Sequence, residues 1–172
     1  NYAYQVDRAK FDDLLLKHAR DNGSQVLTGA QIESIDFNRQ GFAGGVTAKV
    51  GGSKLRLRSR LVVDASGRQA LLGRQLQLMK SDPDFRQFAV HAWFTRVDRG
   101  KSATADFTHV HLLPIRRGWA WQIPINDEMT SVGVVTDREH FVRAGEDVNH
   151  FFQSSISLNP ILSARMKHAI PL

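Results

Sequence analysis

The sequence predicts a mixed α/β (α+β) chain in two parts, and three observations carry that expectation. An amphipathic helix opens the chain, short strands punctuated by glycine follow it, and beyond a polar break at Ser81-Asp82-Pro83-Asp84 the residues turn to long, aromatic-rich strands. The break places a domain boundary between residues 1–80 and 85–172.

The first helix is marked by Asp7 as N-cap, by Phe11, Leu14, Leu15, His18 and Ala19 at i, i+3, i+4, i+7 and i+8, and by Gly23 as its stop. Acidic residues gather early in it and basic ones late, as the helix dipole prefers. Extended pieces are expected at 25–28, 31–37, 45–50 and 55–64, with a hairpin turn at Gly51-Gly52. Leu61-Val62-Val63 is a continuous apolar run, the pattern of a strand buried on both faces, and it delivers Asp64-Ala65-Ser66-Gly67 to the strand's carboxyl end. Open α/β sheets bind ligands at that end, and Ser66 and Gly67 let backbone approach a phosphate or ribose. A plain turn with a helix cap is the alternative. A helix over 69–78 comes next, then strands at 88–97, 109–114, 119–124 and 130–136, the last two joined by a turn at Asn126-Asp127-Glu128. The tail, 146–169, reads as helical with an interruption at Asn159-Pro160.

At 172 residues, 42% hydrophobic and 23% charged, the chain has the make-up of a soluble globular protein. It contains no apolar run long enough for a transmembrane helix, and Asn1 opens no signal peptide. Cysteine is absent, which removes disulfides, thiolate metal sites and a cysteine nucleophile, and accords with a cytoplasmic location. The formal charge of +6 does not mark a nucleic-acid binder, because the basic residues are dispersed. Their densest stretch, Lys54 to Arg60, alternates with apolar residues as a half-exposed strand does. His109 and His111 share a strand face but have no third ligand at a characteristic spacing, so no metal is expected. No serine sits in a Gly-x-Ser-x-Gly elbow, no carboxylate pair is marked, and no Gly-x-Gly-x-x-Gly links a strand to a helix.

The most informative stretch is Trp119-Ala120-Trp121-Gln122-Ile123-Pro124. On a strand, two residues apart means one face, so both indoles form a rigid apolar wall, while Pro124 removes a ladder donor and ends the strand. Gly118 precedes the motif and the strand Thr130 to Val135 follows it. This order resembles the signature of the flavin-dependent halogenases. The blocks Tyr4-Gln5-Val6-Asp7-Arg8-Ala9-Lys10-Phe11-Asp12 and Val62-Val63-Asp64-Ala65-Ser66-Gly67-Arg68 also resemble the middle of that family, in the right order. They are shared with many flavin monooxygenases, so the tryptophan block alone points to halogenation. The likeness is greatest to the branch that acts on phenolic, pyrrolic or carrier-bound aromatic substrates rather than on free tryptophan.

The resemblance implies a p-hydroxybenzoate-hydroxylase-like fold. Residues 1–80 would be part of the FAD-binding domain, and 85–172 part of an antiparallel substrate-binding sheet domain with a C-terminal helix. It implies FAD as cofactor, reduced by a separate flavin reductase, with dioxygen and chloride or bromide as co-substrates and a small aromatic substrate, free or tethered to a carrier protein. Gln5, Arg8, Asp64, Ser66 and Gly67 match cofactor-binding blocks. Trp119, Trp121, Ile123 and Pro124 match the barrier between flavin and substrate. The family's glycine fingerprint and catalytic lysine are expected upstream of Tyr4, and no lysine here matches that lysine's context, so these residues alone are expected to be inactive. Two alternatives stand beside this reading: a flavin monooxygenase hydroxylating an aromatic or isoprenoid substrate, and a non-catalytic binding module.

Overall fold

The computed structural model describes residues 4–82 and 84–172, so Pro83 of the sequence break lies outside the described residues. The chain divides into two compact units, Leu16–Ser81 and a second that joins residues up to Leu15 to Asp82–Leu172. Among the described residues, no helix is long and apolar enough to cross a membrane.

Helix α1, Arg8–Asp21, is the helix expected from the periodicity. The Asp7 carboxylate accepts the N–H groups of Ala9 (3.1 Å) and Lys10 (3.4 Å), and Gly23 closes the C-terminus at φ +89°. Its first turn carries no acid, so Asp7 serves the dipole from the cap. The apolar stripe is not buried: Phe11, Leu14 and Leu15 are all exposed.

The Leu16–Ser81 unit is built on the antiparallel meander of β1 (Gln31–Phe37), β2 (Ala43–Val50) and β3 (Ser53–Arg58). Gly51 (φ +55°) and Gly52 (φ +88°) form the two-residue turn between β2 and β3, a geometry that needs positive φ at both positions. A short helix, α2 (Leu71–Gln75), docks on β1 because Gln75 accepts the N–H of Ile35 (2.8 Å) and donates to its carbonyl (2.7 Å). Several expectations are corrected here. Residues 25–28 form no strand, and the strand expected to run from 55 to 64 stops at Arg58. Leu61 and Val63 are 77% and 78% exposed, because the segment joins no sheet and no layer of the described residues covers its faces. Strand β3 is exposed along its whole length rather than on one face. The helix expected over 69–78 is reduced to a 3₁₀ turn at Gly67–Gln69 and α2.

The second unit is a five-stranded antiparallel sheet with helices on one face. Strands β4 (Gln87–Thr95), β5 (His109–Leu112), β6 (Trp119–Pro124), β7 (Thr130–Asp137) and β8 (Ile170–Pro171) are ordered β5-β6-β7-β4-β8. Helices α3 (Arg138–Ala144), α4 (Val148–Ser157) and α5 (Pro160–Met166) follow β7. The core joins Phe94, Ala120, Val132 and Val134 of the sheet to Phe151, Phe152, Ile156 and Leu162 of the helices. Phe94 stacks on Phe152 at 5.8 Å and 3°. The Asn126 side chain accepts the N–H groups of Glu128 (3.0 Å) and Met129 (2.8 Å), closing the β6–β7 turn. The expected interruption at Asn159-Pro160 is a fresh helix start: Asn159 caps Leu162 at 3.0 Å and Pro160 takes the first turn. Helix α3 and strand β8 were not expected from the sequence.

Candidate functional site

Strand period two puts Trp119, Trp121 and Ile123 on one face of β6, and Ala120, Gln122 and Pro124, all buried, on the other. The indole rings lie 5.8 Å apart at 48°. Pro124 ends the strand at its register partner Thr130, on the core side, so it does not extend the wall that the indoles make. Register places Trp121 opposite Gly133 of β7 and Val110 of β5, and Trp119 opposite Val135 and Leu112. Cross-strand partners share a face, so this aromatic face also carries His91 and Trp93 of β4. Trp93, Val110 and Leu112 are exposed, and the helical residues of the core cluster all pack on the opposite face.

Three residues seat Trp121. Its Nε1–H donates to Ser131 Oγ at 3.1 Å, and the His91 ring lies 5.8 Å from its own. Gly133 provides the room, since a Cβ there would meet Cζ2 of the indole at 2.2 Å. Sequence reading singled out none of the three. A lone glycine inside the apolar strand 130–135 was the available signal, because glycine in a strand marks a close approach.

Behind the wall, Gln122 Oε1 accepts from Arg165 Nη1 of α5 at 3.0 Å, tying the tryptophan strand to the helical layer. His111 lies on the same face as Gln122 and is buried. Burial pushes its pKa down; the neighbouring Gln122 side chain opposes the shift, and the charges of Arg165 and His109 add to it. A histidine held neutral in the fold but free to protonate when unfolded takes up fewer protons in the native state. Its stabilising contribution is therefore complete above the ordinary value of 6.5 and shrinks as pH falls from there toward the depressed folded value. Urea midpoints between pH 7.5 and 5 are expected to fall less steeply for His111→Gln than for the unmodified protein. Equal slopes would contradict this.

The cofactor-block residues fall in both units. Gln5 Nε2 donates to the Asp106 carbonyl (3.2 Å) and to Thr108 Oγ1 (3.1 Å), fastening the chain to the segment before β5. Its Oε1 is buried without a hydrogen-bond partner among the described residues. Arg8 grips Asp12 through Nε and Nη2, both at 3.1 Å, an exposed pairing that raises the guanidinium pKa. In the other unit, Asp64 accepts the N–H groups of Ser66 (2.9 Å) and Leu72 (2.8 Å), and Ser66 Oγ accepts that of Leu71 (3.0 Å). The Ser66 hydroxyl, then the Ser66 and Leu72 N–H groups, hold the Asp64 carboxyl below the usual carboxylate range. This is the helix-capping turn that the sequence offered as the plain alternative. It also borders a cleft of about 480 Å³ whose apolar wall includes Ile32, Ile35, Val46 and Val62, and whose polar end is Asp64-Ala65-Ser66. Gly67 turns at φ +60° with nothing within 4 Å of its missing side chain. Gln31 and Gln69 add to its polar lining, and a cleft of mixed apolar and polar lining fits part of a dinucleotide.

Comparison with known proteins gives a consistent picture. The family model for tryptophan halogenase matches residues 1–167. A 1H-pyrrole-2-carbonyl-(peptidyl-carrier protein) chlorinase of Pseudomonas fluorescens is 40% identical over 172 residues, covering 97% of this chain and 38% of that protein. The flavin-dependent halogenase armH3 of Armillaria mellea is 34% identical, covering 78% and 28% of the two chains. The solved structure of CmlS, a flavin-dependent halogenase, superposes with a TM-score of 0.87 at 28% identity, covering 99% of this chain and 30% of that one. The chain thus spans well under half the length of these relatives.

Proposed function

Because the chain belongs to the tryptophan halogenase family of flavin-dependent halogenases, we propose that the full-length protein halogenates an electron-rich aromatic ring, with Trp119 and Trp121 as the wall between halide oxidation and substrate. The observation that carries this reading is the indole pair itself, 5.8 Å apart on the sheet face turned away from the helical core. The proposed substrate is a pyrrole or phenol presented on a carrier protein, supported by the carrier-linked chlorinase among its relatives. A separate flavin reductase is the proposed partner, and the absence of cysteine supports a cytoplasmic setting.

Residues 1–80 are assigned to the FAD-binding part and 85–172 to the substrate part. Bound in its reduced form, FAD would supply two of the four electrons that take dioxygen to water, the chloride or bromide giving the other two as it is oxidised. The residues proposed to contact FAD are, in one unit, Asp64, Ser66 and Gly67 at the cleft and, in the other unit taken by itself, Gln5 and Arg8 of the opening block. Asp64 fixes the turn and keeps it rigid through its two N–H bonds, and Gly67 admits close backbone approach. Arg8 leaves Nη1 without a hydrogen-bond partner among the described residues. At the wall, Trp119 and Trp121 exclude by volume: each indole screens roughly 150–250 Å². The organic ring is thereby kept from direct oxygen transfer and meets only the oxidised halogen, losing a proton as the carbon–halogen bond forms. Ile123 continues the apolar face, and Pro124 terminates its strand.

Mass spectrometry of products from the full-length protein with reductase, FAD and aromatic substrates, with and without halide, tests this. Halogen isotope patterns that require added chloride or bromide are expected. An oxygenated product formed equally without halide would establish a monooxygenase instead, and no turnover with any substrate would favour a binding role.

A further inference from the structure

At one end of the sheet, the start of β4, the β5–β6 turn and helix α3 bring five arginines together against three carboxylates. Two of those arginines are internally engaged. Arg116 Nε lies 2.6 Å from Asp137 Oδ2, and Arg117 Nη1 lies 3.7 Å from Oδ1 of the same buried carboxylate and donates to the Asp84 carbonyl. One carboxylate thus answers two guanidinium groups, and Arg117 is held at φ +49°, a left-handed geometry that arginine rarely adopts without such anchoring. Arg143 pairs loosely with Glu139 at 3.7 Å. Arg86 and Arg138 are exposed and make neither ion pair nor side-chain hydrogen bond among the described residues. Beneath them lies a shallow groove of about 260 Å³, formed with Arg143, Glu139 and Val142, and Val142 is 64% exposed.

An apolar floor rimmed by unspent arginines is complementary to an amphipathic helix with acidic residues flanking an apolar one. Free phosphate would use the rim and leave Val142 exposed; a protein helix would use both. We infer that this groove is the docking surface for the substrate-bearing carrier protein, which would present such a helix to it. The inference rests on the carrier-linked reading given above and names where that partner sits. These 172 residues carry a net charge of +6, which favours encounter with an acidic partner.

The test compares the full-length protein with its Arg86→Glu/Arg138→Glu variant on two forms of one substrate: the carrier-tethered acyl group and a small-molecule thioester of the same acid. The expected result is a KM for the carrier form raised about tenfold or more with kcat little changed, an unaltered KM for the small thioester, and near-complete rescue in Arg86→Lys/Arg138→Lys. Added salt should raise the carrier KM of the unmodified protein more than that of the glutamate variant. An unchanged carrier KM in the glutamate variant would overturn the docking surface. Equal losses on both substrate forms would overturn it too, by showing a general anion or stability effect. If the unmodified protein halogenates the small thioester but never the carrier form, the carrier-linked reading itself fails, and the docking surface with it.

Discussion

Replacing Trp121 by alanine in the full-length protein is expected to lower halogenated product at least about tenfold, equivalent to roughly 1.4 kcal/mol or more in barrier. The indole is fixed on all sides available to it: Trp119 at 5.8 Å, His91 at 5.8 Å, a hydrogen bond to Ser131 and Gly133 beneath. Its removal opens a gap that Trp119 cannot close, because that ring is held two residues away on the same paired strand. Trp121 lies outside the helix-covered core cluster, so the destabilisation should stay below the roughly 3–5 kcal/mol typical of truncating a fully buried aromatic. A cooperative thermal transition together with lost halogenation is therefore expected. Undiminished halogenated yield from a folded Trp121→Ala variant would remove the wall from the account.

Gly133→Ala is expected to act on the same ring from below. A Cβ at this position would fall 2.2, 2.4 and 2.5 Å from Cζ2, Cε2 and Cη2, all atoms of the fused ring rather than the tip of a flexible chain. The backbone cannot yield easily, because Gly133 is paired on both sides, to Trp121 of β6 and to His91 of β4. The indole must tilt out of the wall, at a cost of about 1–3 kcal/mol typical of overpacking. Chemical denaturation measures that loss, and halogenation should fall with it. The two changes should be coupled: in Gly133→Ala/Trp121→Ala the clash is gone, so the double variant should be more stable than the sum of the single losses allows. Strict additivity would mean that the methyl group is accommodated elsewhere.

Local chemistry made much of this readable in advance. Asp7, Gly23 and the i, i+3, i+4 spacing of Phe11, Leu14 and Leu15 specify α1, and Gly51-Gly52 specifies the β2–β3 hairpin. The shared face of Trp119 and Trp121 follows from period two alone. What failed depended on partners far along the chain. Leu61-Val62-Val63 has the composition of a buried strand, yet composition supplies neither a ladder partner nor a covering layer, and the segment joins no sheet. Helix α3 is only seven residues long and too short to show an apolar period; its signals were Asp137 before it and Gly145, at φ +65°, after it. Strand β8 exists through its pairing with Phe94 and Thr95, which no local pattern announces. The site divided in the same way. The indoles were legible because they repeat, whereas Ser131, Gly133 and His91 matter through cross-strand register with Trp121. Asp64 and Ser66 were legible as a turn, and their hydrogen bonds to Ser66, Leu71 and Leu72 show the capping that this turn performs.

The ratio of halogenated to oxygenated product across Trp121→Phe, Trp121→Leu and Trp121→Ala, each at saturating halide in the full-length protein, tests volume exclusion most directly. If the wall works by bulk, the oxygenated fraction rises stepwise as the side chain shrinks, with phenylalanine nearest the unmodified protein. A ratio that stays constant through the series while total turnover falls would contradict it, and would leave Trp121 as no more than a packing residue of the sheet.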